Sequence, residues 1–165
     1  MGDRWSYPHQ ASSATYVWLP LQVDGPRLSI PEYWTAWNPQ TMKPVTDWGG
    51  KSTKVSFRSD KKGEKWVFPF EGTRVAVWGR TFHNGGYAHI RIQNETGETV
   101  YGNLINFYSK VEDNGLRFVS PLLPAGKYTL EVECAGEHPQ WSDKRRNHYG
   151  SMEDWVLVNE IRVYE

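Results

Sequence analysis

Apolar and polar side chains alternate residue by residue in short runs along this chain, with no sustained helical period anywhere. Val75 and Val77 alternate with Arg74, Ala76 and Trp78. Ala88, Ile90 and Ile92 alternate with Tyr87, His89 and Arg91, and Tyr128, Leu130 and Val132 with Thr129, Glu131 and Glu133. Such a pattern turns one strand face to a core and the other to water. Gly, Pro, Asn and Asp punctuate the text at short intervals. They leave strands over about 53–57, 65–70, 73–79, 87–93, 98–105, 115–120, 127–134 and 154–164. In the last run Val156 and Val158 share one parity and Ile161 and Val163 the other, which predicts a β-bulge near Asn159–Glu160. Earlier runs at Tyr16–Gln22 and Arg27–Ile30 precede a Trp- and Pro-bearing stretch over 31–51. Eight or more short strands without helices between them predict an all-β, antiparallel two-sheet sandwich of the jelly-roll type. An immunoglobulin-like sandwich is the rival.

A length of 165 residues suits one domain, here a flexible N-terminal tail or linker over 1–14 and a single β-sandwich over 15–165. Nineteen basic against nineteen acidic residues leave no net charge, so general nucleic-acid binding, which draws on a positive field, is disfavoured. The single cysteine, Cys134, excludes an internal disulfide and a cysteine-based zinc cluster, and reads as a buried thiol. No apolar run is long enough to span a membrane. The polar start Met1-Gly-Asp-Arg-Trp5 has no apolar signal core, as expected of an intracellular protein or of an excised mature segment. Motifs of the serine-esterase elbow, the P-loop and the HExxH zinc proteases are absent. Asn94-Glu-Thr96 fits a glycosylation acceptor in a hairpin.

Nine Trp, nine Tyr and six Phe are many rings for a chain of low mean hydropathy. Phe57, Trp66, Phe68, Phe70, Phe118, Tyr128, Trp18 and Trp155 fall at strand positions and are assigned to sandwich packing, with Trp34, Trp37 and Trp48 covering one edge of the core.

Connections between successive antiparallel strands alternate between the two ends of a sandwich. Those at 71–72, 94–97 and 121–126 are short turns at one end; those at 58–64, 80–86, 106–114 and 135–153 are longer and share the other. Loops longer than a turn needs, gathered on a rigid scaffold, are where binding chemistry sits. This end carries Arg80, His83, Asn84, Tyr108, Lys110, Glu137, Trp141, Arg145, Arg146 and Tyr149 as candidate ligand-binding residues. Rings stack on the C–H face of a sugar, and Arg, Asn and carboxylates hydrogen-bond its hydroxyls. The cluster Asp143-Lys-Arg-Arg146 reads either as solvated surface or as an edge for carboxylate or sulfate on an acidic glycan. A second candidate is an outward sheet face on which Trp78, His89 and Arg91 lie together, provided that strands 73–79 and 87–93 pair.

Several stretches carry a family pattern: Phe70-Glu-Gly-Thr through Trp78-Gly-Arg80, Gly86-Tyr-Ala-His-Ile-Arg-Ile92, Asn106-Phe-Tyr-Ser109, Leu123-Pro-Ala-Gly-Lys-Tyr-Thr-Leu-Glu-Val132 and Val158-Asn-Glu-Ile-Arg-Val-Tyr-Glu165. Over about 65–165 the chain resembles galactose-binding-like jelly-roll carbohydrate-binding modules appended to bacterial polysaccharide-degrading enzymes. Residues 15–37 look like the segment joining a glycoside hydrolase family 43 propeller to such a module. Asn106 and Asn159 stand where that family often has Asp. The resemblance implies a non-catalytic, monomeric module that binds an oligo- or polysaccharide. It also implies a covalently attached catalytic domain and a secreted, periplasmic or cell-surface location. No cofactor is required. Many such modules hold a structural calcium; no dense acidic loop occurs here, which leaves backbone carbonyls with Glu32 or Glu165 as its ligands.

Two other functions stay open. One is a structural module whose exposed rings pack against a neighbouring domain of a glycoside hydrolase. The other is a small polysaccharide lyase with a Tyr or His base, for which Arg80, His83, Asn84 and Tyr149 are the residues at hand. A hydrolase pair of carboxylates would fall to Glu137 and Asp143, with Glu112 or Asp113 nearby.

Overall fold

A computed structural model describes residues 1–3, 16–30, 32 and 34–165. The expected tail at 1–14 lies outside the described residues except for its first three. Eight long strands build the protein: β1 (Lys51–Ser59), β2 (Lys65–Gly72), β3 (Arg74–Thr81), β4 (Tyr87–Asn94), β5 (Thr99–Asn106), β6 (Asp113–Val119), β7 (Gly126–Cys134) and β8 (Val156–Tyr164). They form two four-stranded antiparallel sheets with orders β5-β4-β7-β2 and β6-β3-β8-β1. Nearly every connection crosses from one sheet to the other, which is the double Greek key of a jelly roll. An immunoglobulin-like connectivity is thereby excluded.

The alternating residues make the core. Val75, Val77, Ala88, Ile90, Ile92, Leu130, Val132, Val156 and Ile161 are fully enclosed between the sheets. Each such side chain contributes roughly 1.5–3 kcal/mol by leaving water. Rings fill one flank: Trp66 stacks between Phe57 and Phe68 at centroid distances of 6.4 and 5.6 Å, and Phe70 stacks on Tyr128 at 5.5 Å. The parity switch in β8 is a bulge, with the register shifting between Val158 and Glu160 against both neighbours. It puts Val156, Val158 and Ile161 inward while turning Glu160 to the outer face.

Three expectations are corrected. Strands β3 and β4 do not pair: β3 lies between β6 and β8, and β4 between β5 and β7. Trp78 therefore sits on the outer face of one sheet and His89 and Arg91 on that of the other. Trp18 is not a core ring; it is 66% exposed, and its carbonyl accepts the Trp37 indole N–H at 2.7 Å. Trp155 lies at the end of the last long loop, half-buried beneath the Arg58 guanidinium, 4.3 Å from its ring centroid.

Short hairpins at Gln22–Asp24/Arg27–Ser29 and Trp37–Asn38/Lys43–Pro44 precede the sandwich. The stretch after them reaches the outer face of the β3 sheet, where Trp48 meets Trp78 edge-on at 5.4 Å and Arg162 covers the same ring at 5.3 Å. That cover explains why Ala76, an outward residue by parity, is fully buried.

Candidate functional site

Jelly-roll connectivity places the four long connections, 60–64, 82–86, 107–112 and 135–155, at one end of the sandwich, as the strand count predicts. Backbone hydrogen bonds join them into one surface. Phe82 and Ser109 each donate across the 82–86 and 107–112 loops, to Phe107 O and Phe82 O. Gly86 N donates to Trp155 O and Tyr87 N to Glu137 O, which attach the 135–155 connection, while Gly63 N donates to Cys134 O. Glycine is demanded where three loops meet. A Cβ on Gly85 would lie 1.9 Å from Phe107 O, and one on Gly86 would lie 2.6 Å from the Asp154 backbone.

The last connection carries a hairpin, Gln140–Ser142 paired with His148–Gly150. At its foot His138 meets Asp154 Oδ1 through Nδ1 and the Gln140 amide through Nε2, both at 2.5 Å. Both contacts are satisfied when His138 carries its proton on Nδ1 and Gln140 donates to Nε2. Trp141 is half-buried and meets Tyr108 of the neighbouring loop edge-on, at 5.8 Å and 79°. Tyr108 is itself buried, which pushes its hydroxyl above the ordinary tyrosine range. Burial also raises Tyr87, aided by the Glu137 carboxylate.

The sequence candidates do gather at this end, but several are engaged within the protein. Arg80 donates to Glu112 at 2.6 Å, and Asn84 shares the Glu153 carboxylate with the Trp155 indole. Tyr149 donates to Asp143 at 3.1 Å. His83, Lys110, Glu137, Arg145 and Arg146 are exposed.

The alternative face dissolves into two structures. Trp78 is covered as described. On the other sheet Arg91 donates to Glu131 at 2.6 Å and Glu133 at 2.5 Å, and Lys65 lies 3.2 and 3.4 Å from the same carboxylates. Arg91 and then Lys65 hold the Glu133 carboxyl below its usual range. His89 stands opposite Glu133 on one side and Leu104 on the other.

Sequence reasoning missed a groove of about 1020 Å³ where the edge strands β1 and β2 part. Phe68, Phe70, Tyr164, Lys51, Glu71 and Glu165 line it. Alternation marks faces, not the gap between two sheet edges, so only the aromatic positions hinted at it. Of the two calcium candidates, Glu165 lies here and Glu32 is exposed. Among the described residues no three His, Cys, Asp or Glu side chains are grouped to hold a metal ion. No helix among them is long and apolar enough to cross a membrane.

No protein-family model and no curated protein match the chain. Among solved structures it is similar to the VP2 subviral particle of infectious bursal disease virus, at 10% identity over 88% of this chain and 37% of that one, with a TM-score of 0.33. A structure of the Gt strain of the same virus gives 12% identity, 86% and 36% coverage and a TM-score of 0.33. The chain thus spans little more than a third of these proteins' length.

Proposed function

We propose that this protein is a non-catalytic glycan-binding module that holds an attached enzyme on its polysaccharide. The observation that supports this reading is the convergence of four long connections at one end of a rigid jelly roll. There Trp141 is held by Tyr108, and the joined loops carry the exposed His83, Lys110 and Glu137. A ring fixed by an edge-on partner offers a stacking surface at little cost in side-chain freedom, and hydrogen-bonding groups around it select hydroxyls. Tethering raises the enzyme's local substrate concentration, so modest affinity suffices. Isothermal titration against neutral and acidic plant or algal oligosaccharides tests it. Binding that falls at least about ten-fold on Trp141→Ala supports the reading, and the absence of heat with every glycan refutes it.

A second reading has its own observation. Tyr16, Trp18, Leu21, Val23, Leu28 and Ile30 are each between 59% and 71% exposed. Exposed apolar side chains gathered within one fifteen-residue segment suit packing against a neighbouring domain. If so, the chain self-associates by sedimentation, and Trp18→Ser with Leu28→Ser makes it monomeric without changing glycan affinity.

A further inference from the structure

The tip of the Gln140–Gly150 hairpin concentrates charge in an unusual way. Asp143, Lys144, Arg145 and Arg146 are consecutive, and only the acid is turned into the structure. Its Oδ1 accepts the N–H groups of Arg145 at 2.8 Å and Asn147 at 3.0 Å. Its Oδ2 accepts the Asn147 amide at 2.9 Å and the Tyr149 hydroxyl at 3.1 Å. Asp143 N donates to Asn147 O and Arg146 N to Asp143 O, closing the turn. Arg146 takes a left-handed backbone, with φ 62°. The hydrogen bonds, led by the Asn147 amide, hold the Asp143 carboxyl below its usual range, so it stays ionised in any neutral or mildly acidic medium.

The three cations are placed differently. Lys144, Arg145 and Arg146 are exposed, and none has a carboxylate partner among the described residues. Other cations of the sandwich, Lys54, Lys65, Arg80, Arg91, Arg117 and Arg162, do face acids, but no other three consecutive residues of the chain are all cationic. The hairpin is also anchored. Gly150 backs onto Pro139 so closely that a Cβ would lie 2.1 Å from its carbonyl oxygen, and Trp141 is held by Tyr108. Two Arg forks and one ammonium on a fixed turn, one strand-pair away from a held Trp, match a polymer that carries planar or tetrahedral anions beside sugar rings.

We infer that this hairpin tip is a preformed anion-binding site, and that the glycan taken by the loop end carries carboxylate or sulfate groups. The inference rests on the glycan-binding reading and names its ligand class. Nucleic acid is the less fitting polyanion, because the whole chain has no net charge to gather phosphates along a backbone.

The test measures affinity for polygalacturonate, a sulfated galactan, an uncharged galactan and single-stranded DNA. The wild type is compared with Lys144→Ala/Arg145→Ala/Arg146→Ala and with Asp143→Ala. The acidic glycans are expected to bind at least about ten-fold tighter than the neutral one, and the triple variant to lose that margin while keeping the wild-type melting temperature. Asp143→Ala makes the tip more positive yet dismantles its turn. A preformed site predicts weaker acidic-glycan binding for it, whereas simple charge attraction predicts tighter binding. Neutral galactan binding equal to acidic, with no effect of the triple change, overturns the inference and leaves the glycan reading intact. DNA binding as tight as the acidic glycans overturns the ligand class. No binding to any glycan removes the glycan reading, and the inference with it.

Discussion

Glu160 offers a quantitative test of how the β8 bulge shapes the outer sheet face. The bulge turns this residue outward, yet only 8% of it is exposed, because Ser52 donates to Oε1 at 2.9 Å, Arg162 to Oε1 at 2.7 Å, and Lys54 to Oε2. Those donors, Lys54 first and then Arg162 and Ser52, pull its carboxyl from 4.5 down to about 2 against the opposing cost of burial. A folded value below the unfolded one means stability that is complete above about pH 5 and is lost as pH falls toward 2. A shift of this size corresponds to about 3 kcal/mol. Because the Lys54 side chain is 80% exposed, solvent screening reduces the share to about 1–2 kcal/mol. Glu160→Gln should therefore unfold in urea with about 1–2 kcal/mol less stability at pH 7, and the gap should close between pH 5 and pH 2. Protonated Glu and Gln are nearly equivalent, so a gap that stays constant across that range would show that the charge plays no part.

Two further outcomes follow from packing. Gly85→Ala pushes a Cβ into Phe107 O, so it should cost about 3 kcal/mol and detach the 82–86 loop, read by a lowered melting temperature and faster amide exchange at Phe107 and Ser109. Cys134 is fully enclosed and its thiol is raised by burial, so it should resist a thiol-specific reagent at pH 8 in the native protein and react once per chain in urea.

Strand positions, the bulge and the sorting of long loops to one end were all readable from alternation and turn residues. Each depends on local parity, which the backbone obeys regardless of topology. Pairing was not readable in the same way. Arg80 to Gly86 has the look of a hairpin connection, but the chain crosses there to the other sheet, and the glycines at 85 and 86 admit the backbone of the neighbouring loops. Trp78 and Arg91 therefore part company, although their strands are consecutive. The tip cations could be listed from the sequence; that Asp143 is spent on building the turn beneath them required the geometry. Trp18 misled because an apolar run resembles a core strand whether or not anything covers it.

Ligand binding is expected at the end where the long connections meet. Backbone amide shifts followed by NMR during titration with a mixed uronate and sulfated oligosaccharide pool test it most directly. The shifts are expected to map to 82–86, 107–112 and 135–155, largest around Trp141 and Arg145. Shifts confined to the Phe68–Tyr164 groove or to residues 16–30, or no shifts at all, would contradict it.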